Sequence, residues 1–295
     1  MRVIFIFIDG IGIGNKNRET NPIYAAPDRV LAGLMDEARF HADASLGVAG
    51  LPQSATGQTA IFTGVNAPAV LNRHMSGQPT ITLKKIINSV NLYGQLKKMG
   101  LSVTCANVYR EEYLRNMLEP KDRRNRPSVT SVMGMAENVR FRTDRDLAAG
   151  AGVYHDITGE RLRALDCGTQ VITPEKAAMN LYSLSRENDF TLFEYFITDI
   201  AGHKFNLEEA VEVVKGLDMF LAGLLDLMDF EQDVLIITSD HGNLEDISVR
   251  THTMNQVPVI IKGKKADGVN MEITSLIDIM PFVLELFRRE QEANE

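Results

Sequence analysis

Residues 234–246 read VLIITSDHGNLED. Four apolar residues, Val234-Leu235-Ile236-Ile237, run without a polar break into Thr238-Ser239-Asp240-His241-Gly242. A short, β-branched, uninterrupted run predicts a strand buried on both faces of a parallel sheet. Such strands present functional groups at their carboxyl ends, where the loops form a crevice. Here the end carries a carboxylate beside an imidazole, then a glycine suited to a tight turn. Asp240 and His241 together offer oxygen and nitrogen donors that suit a divalent cation; a salt-bridged Asp–His pair in a loop is the plainer alternative.

Three further stretches repeat the pattern. Residues 3–14, VIFIFIDGIGIG, form a β-rich run ending in Asp9, with glycines behind it. Residues 191–203, TLFEYFITDIAGH, form another apolar run leading to Asp199, with His203 four residues on. In residues 251–261, THTMNQVPVII, His252 precedes an apolar run that contains Pro258 and reads as an edge strand. Singly, each acid could be a helix cap and each histidine a surface group. Three strand-end carboxylates, accompanied by three of the chain's 6 histidines, point instead to a shared metal centre.

Asp9-Gly10, Asp199-Ile200-Ala201-Gly202-His203, Ser239-Asp240-His241-Gly242-Asn243 and His252-Thr253-Met254-Asn255-Gln256-Val257-Pro258 resemble, in order and spacing, the metal motifs of the alkaline phosphatase superfamily. The closest branch holds cofactor-independent phosphoglycerate mutase and phosphopentomutase. The resemblance covers both ends of the chain and leaves the middle third weakly matched. It implies two divalent ions, Mn or Zn. Asp199, His203 and His252 would hold one; Asp9, Asp240, His241 and the Ser54 oxygen would hold the other, with Asn243 and Glu245 behind them. It also implies a nucleophile at the start of a helix. Residues 52–64, PQSATGQTAIFTG, are a hydroxyl-rich strand-to-helix turn. A helix opening near Ser54 would aim free N–H groups and a positive dipole end at an anion. Ser54 is the assigned nucleophile, with Thr56 and Thr59 as the alternative registers. Sulfatases of the superfamily carry Pro and Arg after the nucleophile; Ser54-Ala55-Thr56-Gly57-Gln58 lacks them.

Composition is consistent with that class. The 295 residues, 44% hydrophobic, can build one large domain or a domain with an insert. A net charge of −8 disfavours a nucleic-acid backbone as partner. Cys105 and Cys167 lack metal spacing and read as reduced thiols. The run Val3–Ile8 is too short for a signal segment and nothing approaches a membrane span, so a cytoplasmic protein without a membrane or nucleic-acid partner is expected.

Strand–helix alternation at both ends predicts an α/β fold with a doubly wound, mostly parallel sheet and an inserted smaller α+β cap. The core is expected at 1–68 and 176–295, and the cap at 69–175 with hinges near Pro68–Pro79 and Gly168–Pro174. A second strand is expected over Leu46–Leu51, and helices over Arg29–Ala38, Thr82–Met99, Thr130–Asn138, Pro174–Ser185, Leu207–Met228 and Ser275–Arg288. Arg73 and Arg110, with His74, are the candidates for substrate contact, and 121–126 is a basic loop within reach of an anion. The expected activity is phosphoryl transfer on a small phosphorylated metabolite through a phosphoserine, as a mutase or phosphatase. The alternatives are a phosphodiesterase of the same superfamily or a metal-bound scaffold without turnover.

Overall fold

The structure is a computed structural model that describes residues 1–119, 126–165 and 170–293. Its strands are β1 (Arg2–Ile8), β2 (Phe40–Ala42), β3 (Val103–Cys105), β4 (Asn107–Tyr109), β5 (Arg142–Thr143), β6 (Val153–Tyr154), β7 (Phe190–Tyr195), β8 (Asp233–Thr238) and β9 (Val257–Lys262). Six of them form one sheet in the order β2-β9-β8-β1-β7-β3. The four from β8 to β3 run parallel; β9 is antiparallel to β8 and to β2.

β1 is the centre of the sheet and shows why the fold is two-sided. Val3, Phe5 and Phe7 enter one apolar cluster, and Ile4, Ile6 and Ile8 enter the other. Successive side chains point to opposite faces, so an all-apolar strand needs cover on both. On one face, Leu207–Leu227 and Pro174–Ser185 supply Leu217, Phe220, Leu221 and Leu181. On the other, Ser54–Thr63 and Ile279–Glu292 supply Ile61, Phe62, Phe282 and Leu286. Each such side chain contributes about 1.5–3 kcal/mol when buried, so the layering rests on many residues of this kind. Phe62 sits 5.9 Å from both Phe5 and Phe7, ring to ring, which presses the Ser54 helix onto β1.

The second sheet is small and parallel, in the order β5-β4-β6. A single residue, Ala106, separates β3 in the large sheet from β4 in the small one. The span 69–175 therefore contributes to both layers: β3 pairs with β7, and Ile87, Leu92, Tyr93 and Met133 lie in the same apolar cluster as β1.

Several local expectations are corrected. Leu46–Leu51 is not a strand. The Asp43 carboxylate accepts from the N–H groups of Ser45 and Leu46, and Leu46, Gly47 and Gly50 all take positive φ. The short strand lies earlier, at β2. Thr82–Met99 is two helices, Ile81–Ser89 and Leu92–Lys98; Asn91 stops the first and caps the second by accepting from Gly94 N–H. β9 is not an edge strand: the three-residue β2 covers it, and Pro258 lies opposite His41. Pro174 does open its helix with Thr173 as the cap.

Candidate metal centre

Parallel strands in register bring their ends to one edge of the sheet. Ile8 is aligned with Tyr195, and Phe7 with Thr238. The residues just past these ends, Asp9 and Asp240, therefore stand side by side. Asp199 follows less directly. β7 stops at Tyr195, and Asp199 lies in the first turn of a six-residue helix, Ile197–Gly202, whose end is capped by His203. The i, i+4 spacing turns Asp199 and His203 to one side. The loop after β8 returns through a bridge between Gly242 and Thr253, which brings in His252.

Two donor sets result. Asp9, Asp240 and His241 each offer a ligand atom within 4.8 Å of the others, and so do Asp199, His241 and His252. His241 Nε2 stands 3.3 Å from Asp9 Oδ1 and 3.7 Å from Asp240 Oδ1. His203 Nε2 stands 3.4 Å from Asp199 Oδ2 and 3.3 Å from His252 Nε2. The rings of His241 and His252 stack at 3.7 Å, so the two sets abut. Ser54, the first residue of its helix, places Oγ 3.0 Å from His241 Nε2.

The donors fit divalent ions on three grounds. Asp9 Oδ1 is buried and takes no hydrogen bond among the described residues. The carboxyl of Asp9 is pushed well above its ordinary value, first by burial and then by the charges of Asp240 and Asp199. Burial would lower His241, but Asp240 and Asp9 outweigh it and hold the imidazolium up to about 10. A positive charge is thus what this cluster lacks. Finally, His252 Nδ1 lies 2.8 Å from the carbonyl of Pro52, which can only accept, so that nitrogen donates and Nε2 carries the lone pair. Burial and the neighbouring His241 lower the His252 pKa. Its Nε2 nevertheless faces another ring nitrogen and a carboxylate, as expected of ligands around a shared cation.

Neighbouring groups fix these side chains. Gln58, one turn after Ser54, donates to Asp9 Oδ2 at 3.3 Å and to Asp240 Oδ2 at 3.1 Å. Asn243 donates to Asp199 Oδ1 at 2.6 Å. Glu245 accepts from the N–H groups of Gly12 and Asn243, from Asn255 Nδ2 and from the Thr253 hydroxyl, and so ties the loops after β1, β8 and before β9. Close approach requires two glycines. A Cβ on Gly57 would stand 2.8 Å from the Asp240 carbonyl oxygen; Gly10 takes φ +74, and a Cβ there would meet Asp199 Oδ1 at 2.8 Å.

Of the three hydroxyls considered for the nucleophile, two are spent on backbone. Thr59 donates to Ala55 O at 2.6 Å, and Thr56 donates to Gln53 O at 3.1 Å. Ser54 instead lines a cavity of about 480 Å³ together with Asp9, Gln58 and Asp199, and a second cavity with His203 and His252. Arg110 lines the first cavity; Arg73 is exposed and lines neither, and His74 is turned to Val48 O at 3.1 Å. In the basic loop 121–126, residues 121–125 lie outside the described residues, while Arg126 lines the cavity. Cys105 is a buried free thiol, raised by burial to about 11; Cys167 lies outside the described residues.

Gln58, Glu194 and the rings of Tyr109, Tyr113, Tyr154, His155 and Phe196 also line the cavity, beyond the residues expected there. Gln58 had a signal, since it follows Ser54 by four on a helix. Glu194 had one too, as the single charge inside an apolar strand.

The sequence model of the metalloenzyme superfamily matches residues 1–291. The chain belongs to this superfamily. Its curated relatives include the 2,3-bisphosphoglycerate-independent phosphoglycerate mutase of Staphylococcus saprophyticus, 27% identical over 226 residues, which are 71% of this chain and 41% of that protein. The mutase of the same name from Methylobacillus flagellatus is 31% identical over 115 residues, 37% of this chain and 22% of that one. The chain thus spans about two fifths of the Staphylococcus mutase. Among solved structures, a Pyrococcus horikoshii protein superposes with TM-score 0.58 at 16% identity, covering 98% of this chain and 97% of its own. The alkaline phosphatase of the Antarctic bacterium TAB5 superposes with TM-score 0.52 at 13% identity, covering 97% and 98%. At these identities the likeness establishes the fold alone: a mostly parallel, alkaline-phosphatase-like sheet. Among the described residues, no helix is long and apolar enough to cross a membrane.

Proposed function

We propose that this metalloenzyme is a two-metal phosphoryl-transfer enzyme for small phosphorylated metabolites, with Ser54 as the residue that becomes phosphorylated. The observation that carries the reading is the placement of Ser54 Oγ, 3.0 Å from His241 Nε2, at the meeting of two acidic donor sets and two cavities. Asp9, Asp240 and His241 would hold one ion, and Asp199, His203 and His252 the other. Bound there, the ions would supply positive charge to the reacting oxygens and favour the ionised serine hydroxyl.

The chain's own residues do the rest. Gln58 and Asn243 hold the carboxylates in place, and helix 54–63 directs its dipole at the developing phosphate charge. The cavity admits an ester to Ser54, with Arg110 and Arg126 on its wall. Ser54 Oγ bonds to phosphorus as the ester P–O bond breaks, and the hydroxyl proton leaves with the departing alcohol. Transfer of the phosphoryl group to water gives a phosphatase; return to another hydroxyl of the substrate gives a mutase.

The test is Ser54→Ala together with labelled phosphate. The variant should keep its fold and most of its metal and lose turnover. Trapped wild-type enzyme should carry label on Ser54. Label on Thr56 or Thr59 would refute the assignment, and retention of label in an isomer would select the mutase.

A further inference from the structure

We propose that the alcohol half of the substrate carries a planar heteroaromatic ring with N–H donors, as in a nucleoside 5′-monophosphate. This rests on the phosphoryl-transfer reading of Ser54 and adds the substrate class. Three observations support it. First, the cavity of about 480 Å³ runs from Ser54 to the small sheet and lies within the range for a drug-sized ligand; a three-carbon acid would leave much of it empty. Second, rings make up much of its far wall, beside Arg110 and Arg126. His155 stacks on Phe196 at 4.6 Å and 22°, Tyr154 lies 4.0 Å from His155, and Tyr109 and Tyr113 lie nearly parallel at 6.2 Å. His155 is neutral across the physiological range, because burial and then Arg161 lower its pKa to about 4. Uncharged rings favour a π-face over a carboxylate.

Third, the wall holds a buried acid. Glu194 is 7% exposed; one oxygen accepts from Thr130 Oγ1 at 2.6 Å, and the other takes no hydrogen bond among the described residues while the side chain lines the cavity. In its ionised form that oxygen is a free acceptor, which suits a ring N–H or exocyclic amine. Asn107 fixes its backbone by two hydrogen bonds of 2.8 Å, one in each direction. The overall reaction balances as nucleotide plus water giving nucleoside plus phosphate. Ser54 Oγ bonds to phosphorus as the 5′-oxygen departs with a proton, and water then cleaves the phosphoserine.

The experiment compares the common nucleoside 5′-monophosphates with ribose 5-phosphate and 3-phosphoglycerate, using the full chain with Mn or Zn. Nucleotide and ribose ester share a primary phosphate and differ in the base. At least one nucleotide should exceed ribose 5-phosphate in kcat/KM by on the order of tenfold, the scale of one base–aromatic stack. Phe196→Ala should lower the nucleotide value more than the ribose value. Ribose 5-phosphate or 3-phosphoglycerate matching or exceeding every nucleotide would overturn the proposal while leaving the phosphoryl-transfer reading intact. If no ester turns over, that reading fails, and calorimetry on the chain loaded with Mn or Zn decides the ring site. Binding of AMP without binding of ribose 5-phosphate would support it, and equal or absent binding would overturn it.

Discussion

The two donor sets are built from the same residue types and differ in their access to water. Asp240 and His241 are wholly buried beneath the Ser54 helix, whereas His203 keeps 46% of its side chain exposed and Asp199 18%. Burial makes the first set costly without a cation: Asp9 is driven toward its protonated form and His241 toward imidazolium. At Asp199 and His203 water can solvate the charges, although His252 beside them is buried, and the cost of an empty site is smaller there. Metal binding at the buried set would therefore be coupled to the integrity of the core, and at the open set mainly to the free ion concentration.

Asp240→Asn tests that difference where the effect should be largest. The side chain keeps its shape and its place under Gln58, but one buried charge is gone. We expect loss of one bound ion and a fall in turnover of roughly a thousandfold or more, as for members of an interdependent catalytic set. Excess metal should not restore it. Metal analysis of the purified variant beside its rate is the measurement; two ions with normal turnover would break the ligand assignment.

His203→Ala should act more mildly. The imidazole sits at the exposed rim, and Asp199 and His252 remain. Metal affinity at one site should fall by at least about 10- to 100-fold, since losing a direct ligand costs no less than losing a group that supports one. Because the defect is in occupancy, raising Mn or Zn should recover much of the activity. A variant that behaves like Asp240→Asn, unresponsive to metal, would erase the distinction between the sets.

The same contrast explains what the sequence disclosed. Asp9, Asp199, Asp240, His241 and His252 were legible because each follows or precedes an apolar run whose burial is itself legible, and parallel register then brings the ends together. The position of Ser54 at a helix start was legible from the hydroxyl-rich turn. The far wall was not. Tyr109 and Tyr154 sit in strands of three and two residues, too short for periodicity to register, and their pairing joins segments more than forty residues apart. The break between β3 and β4 is a single residue, Ala106, too short a signal to show that the chain passes there from one sheet to another. Leu46–Leu51 misled for a different reason: its small apolar residues fit a strand, but Asp43 and two positive-φ glycines make a turn.

Glu194 extends the comparison to a buried carboxyl that neither donor set uses. Burial is the first cause of its raised pKa; the Thr130 hydrogen bond opposes the rise and the Asp240 charge adds to it, leaving the group at about 7 against an ordinary 4.5. Below pH 4.5 the acid is protonated in both folded and unfolded chains and carries no penalty. Between 4.5 and 7 the unfolded chain ionises first, so native stability falls as pH rises. Above 7 the penalty is constant, at about 3 kcal/mol from the linkage relation. Glu194→Gln removes the ionisation and keeps an oxygen to accept from Thr130. The variant should therefore exceed the wild type in unfolding free energy at pH 8, by up to that amount, and the advantage should shrink toward zero at pH 4.5. Denaturant unfolding of both metal-free proteins at the two pH values measures it, since titration of the shared metal ligands largely cancels in the difference. An advantage independent of pH would mean that packing, not charge, distinguishes the two side chains. The carboxyl would then be ionised without penalty, and Glu194 would belong with the solvated acids of the open set.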